Sequence, residues 1–179
     1  MKDWSNKRYW IVGASEGLGQ ALAQKMSDAG ASLILTARNE ARLNEIASSL
    51  PNATEVLPLD ITDLNAVRKS AKILKNVDGF VFLAGAYWPM PAQHWDIGKL
   101  TSMINVNLIG ALHTLDVILP IFMKKNSGHL VFTGSLAGYR GLPSALGYGS
   151  SKAAIANLSE TLRYCLLYTS PSPRDLRAS

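Results

Sequence analysis

The sequence predicts an α/β fold in which a doubly wound parallel sheet carries helices on both faces. Short apolar runs rich in β-forming residues alternate with longer segments of helical period, which is typical of strand–helix–strand crossovers. The chain has 179 residues, 47% of them apolar, and this suits one domain with a sizeable core. Because such crossovers are right-handed, five strands lead to the strand order 3-2-1-4-5.

Five strands are predicted, each a short run of β-branched, aromatic or other apolar residues bounded by turn residues. The first strand leads directly into a glycine-rich turn, and the last ends near Ser135. The predicted strands cover residues 9–13, 32–36, 54–57, 79–84 and 129–134.

Helices are predicted in the intervals between these strands and after the last of them. The first helix begins in the glycine turn and stops before Gly30, a typical helix terminator. Pro51 ends the second helix because proline cannot continue it, and Thr62 or Asp63 caps the third. The predicted helices after the first cover residues 40–50, 63–75, 97–125 and 148–166.

The character of the chain changes after Tyr164. Residues 166–179 have no apolar period and combine serine, proline and charged residues, a composition typical of an unstructured tail. We therefore expect one folded domain over residues 1–165 and a tail over residues 166–179 that adds no sixth strand.

Composition argues against a nucleic-acid-binding protein. The formal net charge is +5, but the first eight residues carry +2 of it and residues 174–177 a further +1. In the rest of the chain acidic and basic residues are interspersed, so the charge forms no basic face. We expect no nucleic-acid partner.

A cytoplasmic protein without a membrane partner is expected. Cys165 is the single cysteine, which excludes an internal disulfide and fits a reducing compartment. Residues 1–8 lead directly into the first strand and leave no room for a signal peptide. The apolar region 108–123 is interrupted by histidine, aspartate and proline, which argues against a membrane span. No metal site is predicted, because the three histidines match no metal-binding spacing.

The turn after the first strand has the spacing Gly-x-x-x-Gly-x-Gly. Glycines at a strand-to-helix junction permit a tight turn and a close approach of the backbone to a pyrophosphate, which the N–H groups of the helix then bind. The alternative is a tight turn with close helix packing and no ligand. On the first interpretation the cofactor-binding residues are Gly13, Ser15, Gly17, Leu18 and Gly19.

Two more segments favour a dinucleotide. After the second strand, Arg38 stands where an acidic residue would hold a ribose 2′-hydroxyl, and a guanidinium there suits a 2′-phosphate. Arg38 is otherwise a solvated surface residue. After the third strand, Asp60 and Ile61 lie where an adenine would bind, although Asp60 could instead cap the following turn.

Four polar residues form a candidate catalytic group. Tyr148 and Lys152 are four residues apart, on one face of a predicted helix. Ser135 follows the fifth strand at the end of the sheet where such folds bind ligands, and Asn107 lies inside the long helix, where asparagine is disfavoured. Taken singly, Asn107 could be a buried structural amide and Ser135 a turn serine.

The aromatic loop at residues 87–91 is either a substrate wall or a packed loop.

This glycine turn, together with Tyr-x-x-x-Lys and its upstream serine, resembles the classical short-chain dehydrogenase/reductase family. The resemblance covers residues 7–164. It implies a Rossmann-type fold and hydride transfer between a nicotinamide cofactor and a small-molecule carbonyl or secondary alcohol, with NADP favoured over NAD. It also implies a homo-oligomer for the full-length relative, formed through the fourth and fifth helices.

The resemblance also assigns roles. Tyr148 is expected to exchange a proton with the substrate oxygen, while Lys152 stabilises the phenolate and binds the nicotinamide ribose. Ser135 is expected to orient the substrate oxygen, and Asn107 to hold a water that relays protons. Asp60 would accept a hydrogen bond from the adenine amine. The backbone after the fourth strand would approach the cofactor at Ala84 and Gly85.

The chain departs from the family pattern in two places. Val12 stands where the family usually has threonine, and Phe82-Leu83 where it has two asparagines. These changes remove hydrogen bonds between neighbouring strands and touch no phosphate contact. We expect apolar packing to replace the lost hydrogen bonds.

Family members continue beyond the catalytic helix into a sixth strand, a Pro-Gly loop, a substrate lid and a seventh strand. The sequence therefore predicts a C-terminally truncated member that lacks the last strands and is poorly active or inactive. The edge of the fifth strand should be unpaired and the neighbouring face apolar. The alternative function is a non-catalytic dinucleotide-binding fragment or interaction module.

Overall fold

Five parallel strands form one sheet in the predicted order 3-2-1-4-5. The computed structural model describes residues 4–169. The central strand pairs on both sides, with Trp10 opposite Ile34 on one neighbour and opposite Phe80 on the other. The strands are β1 (Arg8–Val12), β2 (Ser32–Ala37), β3 (Thr54–Pro58), β4 (Gly79–Phe82) and β5 (His129–Phe132).

Helices connect the strands as the sequence predicts, with differences at their ends. The third helix is six residues shorter than the predicted segment 63–75, and Asp63 rather than Thr62 caps it by accepting from the Ala66 N–H at 3.0 Å. The helices are α1 (Gly17–Asp28), α2 (Glu40–Ser49), α3 (Leu64–Ser70), α4 (Ile97–Ile104), α5 (Gly110–Lys125) and α6 (Leu146–Thr169). Short 3₁₀ turns occur at Ala92–His94 and Leu136–Gly138.

The last helix continues past the predicted start of the tail. α6 includes residues 166–169, so the boundary placed between residues 165 and 166 is wrong. No helix breaker occurs there before Pro171, and a helix that is already nucleated propagates readily through such residues. The rest of the predicted tail, residues 170–179, lies outside the described residues.

The predicted fourth helix is continuous over Ile97–Lys125 but irregular in its middle. A π-helical turn, Asn105–Ile109, separates α4 from α5. Such turns insert one residue into the helical repeat and often mark functional sites. Asn107 lies at the centre of this turn and is fully buried.

This same helix is long and apolar enough to cross a membrane by length and composition alone, with a mean hydropathy of 1.7. The polar interruptions noted in the sequence therefore do not exclude a span by themselves. In the folded chain Ala111, Leu115, Ile118 and Phe122 of this helix belong to the core.

The core has one cluster on each face of the sheet. α3, α5 and α6 cover the first, where Trp10 packs against Phe80 with ring centroids 5.1 Å apart. α1 and α2 cover the second. Val12 and Phe82 are buried in the first cluster, so apolar packing does occupy the positions where the family has polar residues.

Candidate active site

A cleft of about 1030 Å³ opens at the carboxyl ends of β1, β2 and β4. Ligands bind at this end of parallel sheets, where the strand order changes direction. Of the predicted cofactor-binding residues outside α6, all but Gly17 line the cleft: Gly13, Ser15, Leu18, Gly19, Arg38, Asp60, Ile61, Ala84 and Gly85.

The glycine turn has the geometry of a phosphate cradle. Gly13 has φ +91°, and a Cβ there would lie 2.5 Å from the Ala84 nitrogen. A Cβ at Gly19 would collide with the Gly13 carbonyl, so the turn and α1 can approach this closely only through glycine. Gly17 has φ +53° with open space around it, and no side chain caps the start of α1. The residues present therefore fit a pyrophosphate, bound by the first N–H groups of α1.

Asp60 and Arg38 line the cleft just after the ends of β3 and β2. The Asp60 carboxylate accepts from the Thr62 N–H at 2.9 Å and from the Thr62 hydroxyl at 2.7 Å. These two bonds lower the pKa of Asp60, and the nearby Arg38 guanidinium lowers it further. Asp60 therefore caps the following turn, which is the second role that the sequence leaves open for it. The side chain of Arg38 is exposed.

Arg42 is a cleft residue that the sequence analysis missed. Its Nε donates to the Ser15 carbonyl at 3.3 Å and its Nη2 to Gln20 at 3.1 Å. Arg42 therefore ties α2 to the glycine turn and to α1. Its place in the first turn of α2, four residues after Arg38, was a signal that the motif did not include.

Asn107 is bonded to the loop after β4 and to α6. Its Oδ1 accepts from the Ala86 N–H at 2.7 Å, and its Nδ2 donates to the Ala86 carbonyl at 3.1 Å. Nδ2 also donates to the Ser151 hydroxyl at 2.9 Å, and Ser151 donates to the Tyr148 carbonyl at 2.8 Å. Ser151, inside the Tyr–Lys motif, is a second residue that the sequence analysis missed.

Tyr148 and Lys152 lie close together on α6. The Lys152 Nζ is 5.7 Å from the centroid of the Tyr148 ring and donates to the Thr133 carbonyl at 2.9 Å. Lys152 is only 4% exposed, and this burial lowers its pKa. The Tyr148 ring also packs against Tyr87, with centroids 4.7 Å apart.

Ser135 begins the 3₁₀ turn that packs on α6. Its hydroxyl accepts from the Ala137 N–H at 3.2 Å. In the same turn, a Cβ at Gly138 would lie 2.8 Å from the Lys152 carbonyl carbon, so the turn and the helix touch through their backbones. Together with the Lys152–Thr133 bond, this contact joins the end of β5 to the Tyr–Lys helix.

The four candidate catalytic residues thus all lie on α6 or on segments that contact it. Asn107, Ser135, Tyr148 and Lys152 are not among the residues that line the cleft itself. The two regions meet at the loop after β4, where a Cβ at Gly85 would lie 3.6 Å from the Asn107 Oδ1. A phenol, a hydroxyl and a buried ammonium next to a dinucleotide-sized cleft can bind and protonate a carbonyl oxygen.

Known proteins are similar to this chain in sequence and in fold. The family model for short chain dehydrogenases matches residues 7–170. An uncharacterized oxidoreductase of Staphylococcus epidermidis is 35% identical over 156 residues, which cover 85% of this chain and 68% of that protein. A related oxidoreductase of Staphylococcus aureus is 29% identical over 157 residues, with 85% and 68% coverage.

Solved structures agree with this relationship. Serine dehydrogenase from Escherichia coli superposes with a TM-score of 0.84 at 26% identity, over 88% of this chain and 75% of that one. NAD⁺-bound xylitol dehydrogenase gives a TM-score of 0.84 at 26% identity, over 93% and 67%. The match over residues 7–170 shows that the chain belongs to the short-chain dehydrogenase/reductase family of NAD(P)-dependent oxidoreductases.

Proposed function

We propose that the site transfers a hydride between NADP(H) and a small-molecule carbonyl or secondary alcohol, in the cytoplasm. The observation that carries this proposal is the pairing of Tyr148 with a buried Lys152 whose Nζ is bonded to the end of β5, beside Ser135. No nucleic acid or membrane takes part in this function.

Bound NADPH would supply the hydride to the carbonyl carbon. Tyr148 then gives its phenolic proton to the carbonyl oxygen, which gains negative charge as the hydride arrives. The Lys152 ammonium stabilises the phenolate that remains. Ser135 donates to the same oxygen and orients it.

Asn107 supports this group and holds the relay water. Its side-chain amide already makes three hydrogen bonds to Ala86 and Ser151, so the water is bound through the backbone of the π-turn. A π-turn breaks the regular helical hydrogen-bond pattern and leaves a carbonyl available for such a partner.

The preference for NADP rests on Arg38. Its guanidinium is exposed at the end of β2 and lines the cleft, where it is available to a 2′-phosphate. Asp60 binds the adenine amine through the carboxylate whose other bonds fix the turn at Thr62.

The test is turnover of the purified chain. NADPH oxidation is followed with a panel of aldehydes and ketones, and NADPH binding is measured separately by fluorescence. If the chain reduces a member of the panel despite the predicted truncation, Tyr148→Phe should lower kcat by about 10²- to 10⁴-fold, because it removes the proton donor, while NADPH still binds. A chain that binds NADPH without turning over any member of the panel would favour the alternative, a non-catalytic dinucleotide-binding fragment.

A further inference from the structure

We infer that Tyr87 is a positioning residue for Tyr148, an inference that rests on the proposed function of Tyr148 as the proton donor. The two rings contact each other with centroids 4.7 Å apart and planes inclined by 53°. Tilted aromatic pairs at this separation attract each other beyond their burial of surface. The contact limits the side-chain positions that Tyr148 can take.

The backbone on both sides of Tyr87 is fixed. Immediately before it, the N–H and the carbonyl of Ala86 are both bonded to the buried Asn107 amide. Immediately after it, the Trp88 N–H points to the sulfur of Met103 at 3.5 Å. Tyr87 is therefore held in place although residues 83–89 form neither helix nor strand.

The same loop is tied to the start of the helix that carries Tyr148. The Met90 N–H donates to the Ser144 carbonyl at 2.8 Å, and Met90 pairs with Ala145 in an isolated parallel bridge. α6 begins at Leu146, one residue later. Because one loop contacts Asn107 at one end and the start of α6 at the other, the backbone that carries the Tyr87 ring is held in place relative to α6.

The burial of Tyr87 does not explain the contact. Its side chain is 51% exposed, so the core gains little from an aromatic residue here. The ring instead covers a phenol that must be held at hydrogen-bond distance from a substrate oxygen. Small displacements of such a group lower the rate of proton transfer.

The experiment compares three variants in the full chain. Tyr87→Leu removes the aromatic ring, Tyr87→Phe keeps the ring and removes the hydroxyl, and Tyr164→Leu is the matched control. Tyr164 is 50% exposed, almost the same fraction as Tyr87, but lies on α6 twelve residues beyond Lys152. Melting temperature is measured for each, and Tyr87→Met replaces Tyr87→Leu if the latter does not fold.

The first readout does not depend on turnover. The six tyrosines are labelled as 3-fluorotyrosine, and the fluorine resonance of Tyr148 is assigned by its loss in Tyr148→Phe. Tyr87→Leu should move this resonance by more than its linewidth, whereas Tyr164→Leu should leave it in place. An unmoved resonance in Tyr87→Leu overturns the inference, whether or not the chain is active.

The second readout is kinetic. In an active chain, Tyr87→Leu should lower kcat by about two- to tenfold, the range expected for one aromatic pair, with the dissociation constant of NADPH unchanged. Tyr87→Phe should restore kcat. Equal loss in Tyr87→Phe overturns the inference and assigns the effect to the hydroxyl. A wild-type chain that binds no NADPH and reduces no carbonyl contradicts the proposed function instead.

Discussion

Among single residues, the burial of Lys152 makes the free energy of unfolding depend on pH. Burial lowers its pKa below the ordinary value of 10.5, so its charged form is destabilised in the folded chain. Between the lowered pKa and 10.5, the unfolded chain binds a proton that the folded chain has released. The free energy of unfolding contributed by this group therefore rises with pH through that window and is lowest below it.

Lys152→Met removes this dependence. We expect the free energy of unfolding of the wild type, relative to Lys152→Met, to increase as the pH rises toward about 10. Urea unfolding of the cofactor-free proteins at several pH values measures the difference. Lys99→Met, which changes an exposed lysine on α4, should show no comparable trend, and a wild-type advantage that shrinks with rising pH would contradict the argument.

Arg38 decides the choice of cofactor if it binds the 2′-phosphate. A hydrogen bond to a charged group contributes about 1.5–3 kcal/mol, so Arg38→Ala should weaken NADPH binding by about 10- to 100-fold. NADH lacks the phosphate, and its affinity should change little. Fluorescence titration with both cofactors measures this, with Arg68→Ala on α3 as the charge-matched control. Equal weakening for NADH and NADPH would show that Arg38 has no role in discrimination.

At the scale of elements, the π-turn is the feature that places Asn107. It joins α4 and α5 and brings the amide within reach of both Ala86 and Ser151. The three hydrogen bonds link the loop after β4 to α6, two segments that the strand order alone does not connect. The site therefore depends on an irregularity in one helix.

A double-mutant cycle tests this link. Asn107→Ala leaves the Ala86 N–H, the Ala86 carbonyl and the buried Ser151 hydroxyl without their partner, and should lower the free energy of unfolding by about 2–3 kcal/mol. Ser151→Ala should cost about 1 kcal/mol. The double variant should lose about 0.5–1.5 kcal/mol less than the two single losses together, as measured by urea unfolding. Strict additivity would mean that Asn107 and Ser151 do not interact.

Periodicity in the sequence predicts elements better than it predicts their irregularities. All five strands occur where apolar runs indicate them. For β1 and β4 the run follows from burial on both faces of the sheet. The π-turn was not predicted, because one extra residue barely changes the apolar period of the helix. Its only sign in the sequence is Asn107, a residue that is disfavoured inside helices. The predicted end of the last helix was wrong, because composition alone does not show that the helix continues to Thr169.

The same reasoning applies to the site. Gly13, Gly19, Tyr148 and Lys152 were predictable because their spacing has a physical cause in the turn or on a helix face. Tyr87 was not, since its contact with Tyr148 joins residues 61 positions apart through a loop without regular structure. Contacts of this kind depend on tertiary packing, which local patterns do not encode.

In the molecule as a whole, the edge strand β5 is covered less well than its neighbour β4. β4 is buried along its whole length, whereas no residue of β5 is buried, and within residues 4–169 β5 pairs with β4 alone. A groove of about 510 Å³ runs beside β5, between the end of α5 and α6. Its apolar lining includes Phe122, Met123, Leu130, Phe132 and Leu162.

An open strand edge next to an apolar groove favours association between copies. Met123 is 64% exposed at the rim of this groove. Met123→Lys places a charge there, in the last turn of α5, where a cation also suits the helix dipole. We expect this variant to self-associate less than the wild type at equal concentration, as measured by light scattering, with a free energy of unfolding within about 0.5 kcal/mol of the wild type.

A matched change elsewhere separates the groove from general charge repulsion. Ile73 is 40% exposed and lies after α3, outside the groove lining. Ile73→Lys adds the same charge, so it should leave self-association at the wild-type level if the groove is the contact surface. Equal reduction by both variants would show that net charge, and not the groove beside β5, controls association of the chain, because only the former is common to the two proteins.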